Sequence, residues 1–174
     1  MSETRHLVLV GLMGSGKSTV GRVLASRWGR PFVDNDEALE ARAGRSAREI
    51  AATDGASGLH RLEVEVLLGA LASTEPAVIA AAAAAPEVPE AASALRRHDV
   101  VYLRAPSDLL AERVTRAAAG DDHRPFVAGD ARTVLAAQFA ARDASYRALA
   151  VLTVDVSASD PAAVVAQISA ALAT

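Results

Sequence analysis

Leu7-Val8-Leu9-Val10-Gly11-Leu12-Met13-Gly14-Ser15-Gly16-Lys17-Ser18-Thr19 sets four apolar residues directly before a glycine-rich loop. Gly11 to Ser18 has the spacing G-x-x-x-x-G-K-[ST], in which glycines let successive backbone N–H groups turn toward phosphate oxygens. The apolar run reads as a strand buried on both faces, and Lys17 to Trp28 carries apolar residues at helical spacing. Strand, loop and helix thus occur in the order that points a helix N-terminus at an anion. Gly11, Gly14, Ser15, Gly16, Lys17, Ser18 and Thr19 are the expected nucleotide-binding set. Lys17 reaches the β and γ phosphates, and the Ser18 hydroxyl holds Mg²⁺. Of eighteen basic residues in the chain, Lys17 is the only lysine. A compact point charge at a phosphate loop is a place where arginine's broad fork would fail.

The remaining sequence alternates strand and helix with short connections. Pro31-Phe32-Val33 leads to Asp34, and helices are predicted over Glu37 to Ala43, Ala47 to Thr53 and Leu59 to Leu71. A strand at Ala77 to Ala80, a helix at Pro89 to Arg97, a strand at Val100 to Leu103 and a helix at Ser107 to Ala118 follow. Gly120 to Gly129 is polar, contains Pro125 and is expected to be mobile. A helix from Ala131 to Ala148 and a strand at Leu152 to Val156 precede a last helix, opened by Asp160 as N-cap and Pro161 at its first position. This alternation implies a three-layer α/β/α fold with a parallel sheet, as a single domain over 1–174.

With 51% hydrophobic but only 3% aromatic residues, the core is expected to be built from Val, Leu and Ala. A net charge of −3 gives no general basic field, so nucleic acid is excluded as a partner and phosphate binding must be local. There is no cysteine for a disulfide or thiolate metal site. The most apolar stretch, Val78 to Ala85, is far short of the roughly 20 residues a bilayer span needs. A cytoplasmic protein without membrane association is expected. His6, His98 and His123 lack metal spacing and are expected on the surface or at strand ends, with Tyr102 and Trp28 as packing residues.

Over nearly its whole length the chain resembles the shikimate kinase family of P-loop proteins. The likeness is carried by GLMGSGKST, FVDNDEALEARAGRSAREIAATDG, RLEVEVL, VVYLRAP, HRPFVAG and RDASYRALA. It implies a five-stranded parallel sheet, ATP and Mg²⁺ as cofactors, a lid over about 118–129, and transfer of the γ-phosphoryl group to a hydroxyl of a small acceptor. ATP and that acceptor are the expected partners, of a monomer. Asp34 falls where a strand ends near the P-loop, so its carboxylate can hold Mg²⁺ directly or through water. Asp36 matches the family's acceptor-binding carboxylate and could orient the attacking hydroxyl and take its proton. Helix capping is the alternative reading of both. Arg124 matches the lid arginine that meets developing phosphoryl charge, and Arg113 or Arg116 matches the arginine that stacks on adenine.

The acceptor half departs from the family. Leu59-His60 stands where a Phe-Arg pair holds the acceptor carboxylate, and histidine cannot form the bidentate fork. Arg61 is one residue along the helix, about 100° away, and is no substitute. Ala82, Ala83 and Ala84 replace three glycines whose bare backbone approaches the acceptor, so the pocket is expected to be smaller or reshaped. Arg142, four residues before Tyr146, matches the remaining acceptor arginine and leaves room for an anionic acceptor. These features point to an ATP-dependent kinase whose acceptor differs from shikimate. A true shikimate kinase, or a nucleotide-binding regulatory protein without useful catalysis, are the alternatives.

Overall fold

The computed structural model describes residues 5–118, 130–158 and 160–172. Most of the expected lid, with Arg124 and His123, lies outside them. Along the chain run β1 (Leu7–Val10), α1 (Lys17–Trp28), β2 (Phe32–Asp34), α2 (Asn35–Ala43) and α3 (Ala47–Leu71). β3 (Val78–Ala80), a single 3-10 turn (Ala85–Glu87), α4 (Pro89–Leu95), β4 (Asp99–Arg104) and α5 (Ser107–Ala118) follow. α6 (Ala131–Leu149), β5 (Leu152–Asp155) and α7 (Pro161–Leu172) complete the chain.

The strands form one sheet in the order β2-β3-β1-β4-β5. Every pairing is parallel. β1 is therefore central, which explains why Leu7, Val8, Leu9 and Val10 are all apolar: each is at most 1% exposed. Because β1 lies between β3 and β4, the chain must leave it for the far edge, form β2, and return to form β3. Open α/β sheets place their ligand crevice where neighbouring connections diverge in this way, at the carboxyl ends of the strands. The loops after β1, β2 and β3 consequently meet there. The core is Val, Leu and Ala, as expected, with Tyr102 and Tyr146 its largest fully buried side chains.

Local chemistry sets the helix boundaries. Asp34 caps α2 by accepting from the Asp36 amide at 3.1 Å, so α2 begins at Asn35, two residues before the predicted start. Ser46 and Glu49 form a reciprocal capping box at the start of α3. The two predicted helices over 47–71 are separated only by Gly55, whose φ of 75° and ψ of 173° break the helical path. Asp130 opens α6 by accepting from the Arg132 and Thr133 amides. Asp160 accepts from the Ala162 amide at 3.1 Å and Pro161 begins α7, as the sequence indicates. The alanine run is not featureless: Ala80 ends β3, and Ala85 opens the 3-10 turn.

His6 stands at a strand end, one of the two places expected for it, and there it is only 1% exposed. Its Nδ1 accepts from the Ala77 amide at 3.0 Å, so the proton sits on Nε2, 3.1 Å from the Ser73 carbonyl. A buried histidine can latch the loop before β3 because both ring nitrogens are satisfied. Replacing His6 by leucine leaves one buried amide and one carbonyl without that partner, at about 2–4 kcal/mol in total. For a chain of this length the His6→Leu variant should melt roughly 5–12 °C lower. An unchanged melting temperature in scanning calorimetry would contradict the latch.

Candidate active site

The P-loop leaves the centre of the sheet under steric constraint. Gly11 has φ of 148°, and a Cβ there would lie 2.6 Å from the Leu103 carbonyl oxygen and 2.9 Å from Ser15 Oγ. Only glycine passes under β4 at this point. Gly16, with φ of 89°, is the N-cap of α1 and supplies no side-chain cap. The helix N-terminus is thus left to an external anion, in keeping with its dipole. The Lys17 ammonium lies across the loop, donating to the carbonyls of Gly11 at 2.9 Å and Leu12 at 3.3 Å. Ser15 is buried, and its Oγ has no hydrogen-bond partner among the described residues.

Beyond the loop opens a cavity of about 860 Å³. Gly14, Gly16, Lys17, Ser18 and Thr19 line it from the P-loop and the first turn of α1. Asp34 and Asp36 enter from β2 and α2, His60 and Glu63 from α3, and Ala80 to Ala84 from the β3 loop. Arg113 enters from α5 and Arg142 from α6. Residues predicted from points scattered over 130 positions of sequence therefore share one cavity. Gly11 and Ser15 shape the loop from beneath and do not line it. Arg116 is exposed and away from the cavity, whereas Arg113 is half-buried and donates to the Val156 carbonyl at 2.7 Å. Arg61 is exposed and does not line the cavity, as the helical rotation requires.

Asp34 is 9% exposed; its carboxylate caps α2, and the residue also lines the cavity. Asp36 is open to solvent through the cavity mouth, yet protein surrounds it on the other sides. Desolvation pushes its pKa above the usual carboxylate value, the Lys17 charge opposes this, and the charges of Asp34, Glu63 and Glu40 reinforce it. Asn35 ties the start of α2 to α3 by donating to the Glu63 carbonyl at 3.2 Å. Asp36, the next residue, lies within reach of the Glu63 charge.

The acceptor wall holds partners that sequence reasoning missed. His60 Nδ1 is 2.9 Å from Glu63 Oε2, an i,i+3 pair that helical spacing could have revealed. Arg142 Nε donates to Glu87 Oε2 at 2.7 Å, and its side chain is only 13% exposed. Fifty-five residues separate that pair, so no local pattern signals it. The Tyr146 hydroxyl donates to the Ala83 carbonyl at 2.6 Å, and burial raises its pKa well above the phenolic range. α6 is in turn fixed to β4 by Asp143, which accepts from Tyr102 at 2.9 Å and Arg104 at 2.7 Å. Burial works to raise the Asp143 pKa, but these hydrogen bonds win and hold it below the usual value.

The residues present fit Mg-ATP on three structural observations. The α1 N-terminus has no side-chain cap, the loop has its ammonium at the mouth, and Ser18 and Asp34 face the same space. Magnesium with phosphates needs no more than one or two protein ligands. No helix among the described residues is long and apolar enough to cross a membrane.

Comparison with known proteins gives the same result. A sequence model described as shikimate kinase matches residues 13–173. A shikimate kinase of Mycobacterium marinum is 41% identical over 166 residues, covering 95% of this chain and 88% of the relative. One from Mycobacterium tuberculosis is 41% identical over 162 residues, covering 92% and 89%. The solved shikimate kinase from Acinetobacter baumannii, in complex with shikimate, superposes with a TM-score of 0.89 at 30% identity, covering 98% of this chain and 95% of the other. With the uncapped phosphate loop and the paired carboxylates of β2 and α2 in one cavity, these likenesses show that the chain belongs to the shikimate kinase family, ATP- and Mg²⁺-dependent phosphotransferases acting on an alcohol group of a small molecule.

Proposed function

We propose that this chain, working as a cytoplasmic monomer, phosphorylates a hydroxyl of a small ring acceptor of shikimate's size, seated between Asp36, the Ala81 to Ala84 loop, His60 and Arg142. The observation that carries this reading is the placement of Asp36 and Lys17 in one cavity, close enough that the Lys17 charge acts on the carboxylate. The Acinetobacter baumannii relative in complex with shikimate supports an acceptor of that size.

The P-loop amides and Lys17 would hold the β and γ phosphoryl groups, and Arg113 would stack on the adenine. Ser18 and Asp34 are the residues that would hold Mg²⁺, which when bound neutralises charge on the phosphoryl oxygens. Asp36 accepts the proton of the acceptor hydroxyl. The new O–P bond forms as the bond between the γ-phosphorus and the bridging oxygen breaks, and ADP departs with that electron pair. Arg124, assigned from sequence alone and outside the described residues, meets the charge that develops in transfer.

Removing the Lys17 charge leaves phosphoryl oxygens unneutralised at the loop. Lys17→Ala should lower acceptor-dependent ADP release, assayed with shikimate and related polyols, by at least about tenfold. Retained activity would contradict the donor assignment.

Asp36 yields a paired prediction. It must be ionised to accept a proton, so the acidic limb of kcat/KM should lie above the ordinary carboxylate value, and Asp36→Asn should lose about 10²–10⁴-fold in rate. Because the folded pKa is raised, the unfolded chain releases this proton first as pH rises. Stability therefore falls through the window between the ordinary and the raised values, and the charge remains a net burden above it. Asp36→Asn should melt no lower than the parent protein at pH 7, in spite of its lost activity. A lower melting temperature would show that the fold stabilises the carboxylate.

A further inference from the structure

Two bonds join one face of α6 to the segment that follows β3. Arg142 and Tyr146 stand four residues apart in α6, about one helical turn, and so project from the same side. The Tyr146 hydroxyl donates to the Ala83 carbonyl at 2.6 Å, and Arg142 Nε donates to Glu87 Oε2 at 2.7 Å. Ala83 and Arg142 line the cavity, whereas Glu87 ends the 3-10 turn and does not. The loop and the turn are thus fixed to α6 separately, one through a backbone carbonyl and the other through a side-chain carboxylate.

The Glu87 contact holds Arg142 without using it up. A guanidinium is a rigid plane with donors on all three nitrogens, and a carboxylate bound at Nε fixes that plane while leaving the Nη groups for a ligand. The Arg142 side chain is 13% exposed and that of Glu87 is 40% exposed. Water therefore screens the carboxylate's repulsion of an incoming anion more than it screens the guanidinium's attraction. What remains is chiefly an effect on orientation. A free arginine loses side-chain freedom when it binds a ligand, and one already anchored loses less.

We propose that Glu87 is a positioning residue of the acceptor site: by holding Arg142 at Nε it presents the Nη groups to an anionic group of the acceptor. It acts through Arg142 alone. This rests on the phosphotransferase reading above. Kinetics at saturating Mg-ATP test it, with shikimate, quinate and gluconate as anionic acceptors, sorbitol as the uncharged control, and ADP release followed. For each anion that the parent protein phosphorylates, Glu87→Ala should raise the acceptor KM by about tenfold, with little change in kcat or in the nucleotide KM. Glu87→Gln keeps an oxygen for the Nε–H and should hold KM within about threefold of the parent value. In an Arg142→Ala background, Glu87→Ala should have no further effect on kcat/KM, which a merely structural role would still lower. A KM unmoved or lowered by Glu87→Ala, no recovery in Glu87→Gln, or a full effect that persists without Arg142 overturns this inference and leaves the phosphotransferase reading standing. Turnover of sorbitol alone does the same. No acceptor-dependent ADP release with any of these compounds overturns both.

Discussion

Burial of β1 at the centre of a parallel sheet is the constraint from which the rest of the molecule follows. Four apolar residues, none more than 1% exposed, bring the chain to the carboxyl edge of the sheet, where it must turn beneath the Leu103 carbonyl. Only Gly11 permits that turn, and the turn leaves the first amides of α1 facing open space. The phosphate loop is in this sense a result of packing: the strand supplies the rigidity and the missing Cβ supplies the space. The strand order then decides what faces the loop. With β3 on one side of β1 and β2 beyond it, Asp34 and the Ala81 to Ala84 loop must converge on the same edge.

The two halves of the cavity follow different electrostatic rules. On the donor side the positive ends of backbone dipoles and an ammonium face the cavity, and part of that charge is held by weak carbonyl acceptors such as Gly11 and Leu12. Phosphate oxygens displace such contacts readily. On the acceptor side charges are paired at hydrogen-bond distance and held by elements that are themselves tied down, α2 by Asn35 and α6 by Asp143 and Tyr146. The asymmetry suits a kinase, since charge neutralisation is needed at the phosphoryl group and steric and hydrogen-bond selection at the acceptor.

Much of this was legible in the amino-acid order. The P-loop declares itself because its chemistry requires glycines at fixed spacing, and the strand–helix alternation declares the parallel sheet. Asp34 and Asp36 were expected beside the loop because a strand end is a local feature, and both line the cavity. His60 and the alanines were identified as departures, but the Glu63 and Tyr146 contacts made to them were not. The Glu87 carboxylate that covers Arg142 comes from a 3-10 turn on the far side of a 55-residue interval, and pairings at that range depend on the fold. The buried state of His6 was missed for a related reason. Its two partners lie about 70 residues away, in the loop that β1 pairing with β3 brings alongside. Arg113 and Arg116 were left open by sequence, and helix packing separates them: one faces the cavity and the other solvent.

The proposed function requires the donor and acceptor halves to act on one another across a single cavity, with the phosphoryl group passing directly between them. Time-resolved ³¹P NMR of the protein with Mg-ATP and a hydroxylated acceptor tests this most directly. A phosphomonoester resonance of the acceptor should grow in step with ADP, with no matching rise in inorganic phosphate. ADP accompanied by inorganic phosphate alone would mean that water, not an alcohol, takes the phosphoryl group, and would contradict the account.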